Sequence, residues 1–233
     1  MRKDEANREA PTAVRRTPQQ SRSQETQRAV VEGAARVFDR EGYGKASLSM
    51  IVEESGISQG SMYFHFKSKE QIALAVINEQ HARSLPLLTD AADSSPGVFE
   101  RLVSVSRAMA DQLRDDAVVR AGIRLAMEEG ALGAPAGNFY LNWVEMTSAM
   151  LAPALERGEL TSGLSPEALA KSLIGFFTGV QLMSQATSAR DDLLTGLRDM
   201  WLLAVDAMVR AADRDGAVHI VETAFRVDSA QRE

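Results

Sequence analysis

Apolar positions along this chain recur at helical spacing. Val30, Ala34, Val37 and Phe38 fall at i, i+4, i+7 and i+8, one face of a helix. Gly42 is placed to stop that helix, since glycine enters the left-handed region without strain. Ser47 or Ser49 can cap a short second helix with the stripe Leu48, Ile51 and Val52, ended by Gly56. Ser58 can cap a third that runs to about Phe66. Ser68 and Gln71 have capping-box spacing and open a fourth, with Ile72, Val76 and Ile77 inward. Pro86 and then Ser94-Ser95-Pro96-Gly97 mark a change of segment.

The later pattern is helical as well. Leu102, Val105, Met109 and Leu113 suit one helix and 118–127 another, ended by a loop over 130–137. Phe139, Trp143, Met146 and Met150 run down a third, and Ser165-Pro166 starts the one carrying Leu169, Leu173, Phe176 and Val180. Leu197, Trp201, Ala204 and Met208 form the last stripe. No segment alternates with period two for long. The stripes predict an all-α fold of roughly nine helices. The divisions expected are a disordered arm over 1–20, a three-helix helix-turn-helix domain over 21–67, a larger domain over 68–213, and a tail over 214–233.

The stretch from Ser47 to Glu70 carries the candidate chemistry. Two short helices meet at the tight turn Ser55-Gly56-Ile57-Ser58, which is helix-turn-helix size and punctuation. In that motif the second helix enters the major groove and its N-terminal residues reach base edges. Gln59, Gly60 and Ser61 occupy the N-terminal turn of that second helix, and Gly60 lets the backbone lie close to DNA. Tyr63, His65, Lys67 and Lys69 are candidates for phosphate, Lys69 in the first turn of the next helix, where free N–H groups already favour an anion. Arg15, Arg16, Arg22 and Arg28 are candidates for a basic arm, with a solvated tail the plainer reading of Arg15 and Arg16.

Net charge is −6 over 233 residues, which by itself argues against a nucleic-acid partner. The distribution changes that picture. Residues 1–83 hold 13 of the 26 basic and 11 of the 32 acidic residues, so the acidic surplus lies beyond them, and binding follows the local field. With no cysteine, disulfide scaffolds, thiolate metal sites and cysteine nucleophiles are excluded. No apolar run is long enough for a membrane span, and residues 1–20 lack the apolar core of a secretory signal.

The run Gly42-Tyr43, then Ser55-Gly56-Ile57-Ser58-Gln59-Gly60-Ser61-Met62-Tyr63-Phe64-His65-Phe66-Lys67-Ser68-Lys69-Glu70, resembles the DNA-binding domain of the tetracycline-repressor (TetR) family, over residues 24–72. The resemblance implies a homodimeric, cytoplasmic, nucleoid-associated repressor without cofactor or metal. An N-terminal reader would bind a double-stranded operator, and a C-terminal helical domain would bind ligand and dimerise through its last two helices. It places phosphate contacts at Ser47, Tyr63, His65 and Lys69. Further on, Val118-Val119-Arg120-Ala121-Gly122-Ile123-Arg124-Leu125, Trp143, Gly158-Glu159-Leu160, Gly179-Val180-Gln181 and Ser184-Gln185 resemble the γ-butyrolactone receptor subgroup. Those repressors release DNA on binding a butyrolactone, butenolide or furan autoregulator and control antibiotic or secondary-metabolite genes. The subgroup's pocket tryptophan maps to Trp143. Ser58-Gln59-Gly60 stands where many relatives have Thr-Lys-Gly, which removes a positive charge from the reader.

Plainer readings compete at several positions. Trp143 with its neighbours Phe139, Met146 and Val180 serves equally as helix core or as ligand wall. Thr178 and Gln181 sit in an apolar run, where a buried amide bonds either backbone or a ligand oxygen. Thr161, in a loop, completes the polar candidates. Gly56-Ile57-Ser58-Gln59-Gly60 also matches the nucleophile elbow of hydrolases, but that elbow needs a preceding strand. His81 and His219 have no partner at metal spacing. The alternatives to the autoregulator reading are a drug-efflux regulator with a broad aromatic pocket and a small helical enzyme using the same pocket.

Overall fold

The structure is a computed structural model that describes residues 18–89, 97–128 and 137–226, with side chains from 22 and, in the last segment, from 140. Most of the expected arm, residues 1–17 with Arg15 and Arg16, lies outside the described residues. Ten α-helices and a short 3-10 turn make up the described fold, without a strand among the described residues.

Helix α1 spans Pro18–Lys45 and breaks at Gly42, whose φ of 74° and ψ of 172° are open to glycine almost alone. Helix α2 (Leu48–Ser55) begins where Ser47 Oγ accepts from the Met50 amide and ends at Gly56 in the left-handed conformation. Helix α2 crosses α1 at Gly33, where an added Cβ would meet Ser55 Cα at 2.7 Å. Helix α3 (Gln59–His65) is capped by Ser58. Helix α4 (Lys69–Ser84) has Ser68 Oγ accepting from the Gln71 amide, while Gln71 Oε1 accepts from the Lys67 amide. The expected box is therefore present, closed one residue earlier than in the usual reciprocal pair.

Two cores form. The first joins Val30, Phe38, Ile51, Met62, Phe66, Ile72 and Val76. The second is built by α5 (Val98–Asp115), α6 (Ala117–Met127), α7 (Gly137–Glu156), α8 (Pro166–Ser188) and α9 (Leu193–Met208). The expected division at 67/68 does not match them. The α4 residues Ile72, Val76 and Ile77 belong to the first core, and so do Val118, Ala121 and Leu125 of α6. Their neighbours Val119 and Ile123 belong to the second. Helix α6 is apolar on two faces and serves both cores.

The expected tail over 214–233 is corrected as far as residue 226. Helix α10 (Arg214–Ala224) buries Ala217, Val221 and Phe225, spaced by four, against the second core. Arg107 Nη1 donates to the Ala224 carbonyl at 2.6 Å and holds its end.

Candidate nucleic-acid interface and ligand cavity

Helix α3 is short because Ser58 fixes its start and extended Phe66 fixes its end. Met62 and Phe66 are buried and anchor it. Gln59, Gly60, Ser61, Tyr63 and Phe64 face outward, and Phe64 is 75% exposed. An added Cβ at Gly60 would meet nothing within 4 Å, so the helix start is open to an incoming surface. Ser58 Oγ accepts from the Ser61 amide and donates to Ser61 Oγ, so these two hydroxyls first serve each other. Ser47 Oγ likewise caps α2 and lies 2.9 Å from Ser49 Oγ. The His65 ring is half-buried and meets Phe64 edge-on, with centroids 5.2 Å apart. A cleft beside α3 is lined by Arg22, Ser23 and Thr26 of α1 together with Gly60, Ser61, Phe64 and His65.

The expected cations divide. Lys67 Nζ donates to the Tyr63 carbonyl at the exposed end of α3. Lys69 turns inward instead: its Nζ donates to the Tyr43 and Ala46 carbonyls at 2.7 and 2.8 Å and sits 4.3 Å over the Tyr43 ring. Those carbonyls are left free where α1 breaks, and the ammonium satisfies them, so a phosphate role for Lys69 does not fit this arrangement. Arg28 is paired with Glu32 and lines the groove between α1 and α4, away from the α3 cleft. Of the arginines expected in a basic arm, Arg22 is the one that lines the cleft beside α3 among the described residues.

The junction of the two cores is charged. Arg120 Nε lies 2.7 Å from Asp39 Oδ2, and Arg124 Nη1 donates to the Asp39 carbonyl at 2.8 Å. Arg124 Nε also pairs with Glu128, whose Oε2 accepts from the Tyr43 amide at 2.9 Å. A Cβ at Gly42 would come within 2.5 Å of Arg124 Nη2 and would push that guanidinium aside, while the positive φ is what demands glycine here.

The second core encloses a cavity of about 90 Å³, several times the ~10–15 Å³ that one water needs. The candidates Trp143, Thr178 and Gln181 line it. The Tyr140 hydroxyl bonds Thr178, and burial, opposed by that bond, raises its pKa. Three other candidates do not line it. Thr161 is exposed and its amide donates to the Met208 carbonyl at 2.8 Å, tying the loop to the end of α9. Met146 lies off the wall. Val180 lines an outer groove with Phe176, Gly179 and Met183. The Phe139 side chain lies outside the described residues. Sequence reasoning missed the α5 wall of Leu102, Val105, Ser106 and Met109, together with Trp201. Leu102, Val105, Met109 and Trp201 read from the sequence as core stripes, and Ser106 lies in no stripe.

The hydrolase elbow is not formed: Ser58 caps a helix, and what precedes it is α2, not a strand. Among the described residues no group of His, Cys, Asp and Glu could hold a metal, and no described helix is long and apolar enough to cross a membrane.

Comparison with known proteins matches this arrangement. Residues 30–76 match the model for bacterial regulatory proteins of the tetR family, and residues 97–210 match a tetracyclin repressor-like C-terminal domain. The chain belongs to the tetR family of transcriptional regulators. Within that family it groups with the γ-butyrolactone receptors. It is 37% identical over 182 residues to the A-factor receptor protein of Streptomyces griseus, covering 78% of this chain and 63% of that protein's length. It also resembles the crystal structure of a γ-butyrolactone receptor described as ArpA-like (26% identity, TM-score 0.72, covering 88% of this chain and 98% of the other). The structure of CprB from Streptomyces coelicolor in complex with its biological operator sequence is similar too (26% identity, TM-score 0.78, covering 89% and 100%).

Proposed function

We propose that this chain is a ligand-responsive DNA-binding repressor, not an enzyme, that releases a pseudo-palindromic operator on binding a small autoregulator of the γ-butyrolactone type, and that it controls antibiotic or secondary-metabolite genes in the cytoplasm. The observation that carries the reading is the double role of α6. Ile123 lines the cavity, while Val118, Ala121 and Leu125 on the same helix complete the reader's core. A guest that fits the cavity better when the walls stand further apart favours that conformer. Helix α6 is one of those walls, and Arg120 and Arg124 carry its displacement to the end of α1. Coupling of 1–3 kcal/mol changes operator affinity by about 5–150-fold.

Two readers must meet one duplex face, with half-sites about 34 Å apart. The face that would pair the copies is the outer side of α8 and α9, where Phe176, Leu182, Met183 and Leu203 are exposed. An isologous contact of these two helices gives a four-helix interface. The drug-efflux reading is less well supported, because the described cavity wall holds no carboxylate to face a cationic guest.

The test is an electrophoretic shift on palindromic duplexes from the gene's own upstream region, with and without γ-butyrolactones. Binding that lactones abolish is the expected result. Binding indifferent to lactones but lost with cationic dyes would move the protein to the efflux class. Turnover of the lactone would make it an enzyme.

A further inference from the structure

Three hydrogen-bonding groups from three helices line the cavity without a partner: Ser106 Oγ on α5, Gln181 Nε2 on α8 and Trp201 Nε1 on α9. Their residues are 7%, 2% and 3% exposed. Native interiors satisfy nearly all such groups, and one left alone keeps its full desolvation penalty. The amide nitrogen of Gln181 and the indole nitrogen of Trp201 can only donate, and the Ser106 hydroxyl can do so. The set therefore calls for oxygen acceptors. Tyr140 and Thr178 bond each other, and the wall's remaining polar residues, Trp143 and Thr147, are not among the unpartnered groups. The described lining also contains no carboxylate, ammonium, guanidinium or imidazole. A charged guest would lose its hydration there and meet no opposite charge.

We propose that Ser106, Gln181 and Trp201 form a polar subsite that binds the carbonyl oxygens of a neutral acyl lactone and selects against carboxylate-bearing furans. The inference rests on the repressor reading above and names the guest's chemistry within it. The apolar arc of Leu102, Val105, Met109, Leu173 and Phe177 takes the alkyl chain. Selectivity follows from the donors: a guest lacking one carbonyl leaves a buried donor unpaired, which costs more than the loss of an apolar contact.

The experiment titrates the full chain calorimetrically with an α-acyl-γ-butyrolactone, an α-alkyl-γ-butyrolactone lacking the chain carbonyl, and an alkylfuran carboxylate. Wild type should prefer the acyl lactone to the other two by about tenfold or more, the scale of one good hydrogen bond. Ser106→Ala and Gln181→Met should each weaken the acyl lactone roughly fivefold or more while moving the alkyl lactone by less than about twofold. Trp201→Phe should do the same where it folds. Ser106→Ala also separates a ligand role from a structural one: without ligand it should melt at or above the wild-type temperature, because it deletes an unpaired group. Unchanged acyl-lactone affinity in the variants, a wild-type preference for the carboxylate, or a lower ligand-free melting temperature for Ser106→Ala would overturn the subsite. If wild type binds operator but none of the lactones, the autoregulator reading falls and takes the subsite with it. If wild type binds the acyl lactone and the variants bind it equally well, only the subsite falls.

Discussion

Gly42 carries two demands at one position. Its backbone lies where a side chain is strained, and its missing Cβ leaves room for Arg124. Gly42→Ala should destabilise the protein by about 2 kcal/mol or more, since the strain alone is of order 1–3 kcal/mol. Thermal denaturation would register this as a fall of several degrees. Phe64 poses the opposite case, an apolar ring left in solvent beside polar Gln59 and Ser61. A ring there gains by contact with thymine methyl groups in the major groove. Phe64→Ala should leave the melting temperature unchanged and weaken operator binding severalfold, the scale of about 0.8 kcal/mol per buried CH₂. His81 is sensitive to pH, because burial holds its pKa below the ordinary 6.5. It takes up a proton more readily once unfolded. Its contribution is fully present above 6.5 and is lost as pH falls through the folded value. His81→Gln should therefore flatten the acid limb of a stability-against-pH curve.

At the scale of elements, α6 is the part to perturb. Arg120 and Asp39 join it to α1 across the two cores. Arg120→Ala should keep the cavity's affinity for lactone but blunt the release of operator, which parallel calorimetric and gel-shift titrations would reveal. Helix α10 can be tested more bluntly. Phe225→Ala empties a buried site and should cost about 3–5 kcal/mol, where a true tail would tolerate it. The sequence made most of these helices legible. Serines at 47, 58, 68 and 165 announced their starts, glycines at 42 and 56 their ends, and the apolar stripes their inner faces. It made the reader legible through its punctuation, Thr178 and Gln181 through their place in an apolar run, and Trp143 through the resemblance to the γ-butyrolactone receptors. What stayed hidden has physical causes. Lys69 has phosphate-site spacing, but carbonyls freed by the break at Gly42 claim its ammonium from 23 and 26 residues away. Val180 and Phe176 continue a core-like period, yet a helix apolar all round does not declare which side faces a partner copy. Trp201 reads as core and Ser106 draws no reading, because nothing in a stripe shows that it borders a hole.

The molecule as a whole presents an acidic body and a reader of mixed charge. The apolar outer side of α8 and α9 sets its assembly on the proposed reading. Met183→Asp should shift light scattering from dimer mass to monomer mass and remove binding to a full palindrome. It should leave lactone affinity largely intact, since Met183 lines the outer groove and not the cavity. Lys69 has one more consequence. A cation that spends its bonds on its own backbone displaces no condensed sodium or potassium from a duplex, and each cation so withheld lowers the slope of log affinity against log salt by about 0.9. With Lys69 turned inward, Arg28 paired and glutamine at position 59, grip on the operator depends on shape and uncharged contact, and it should persist through swings of ionic strength that detach more basic readers.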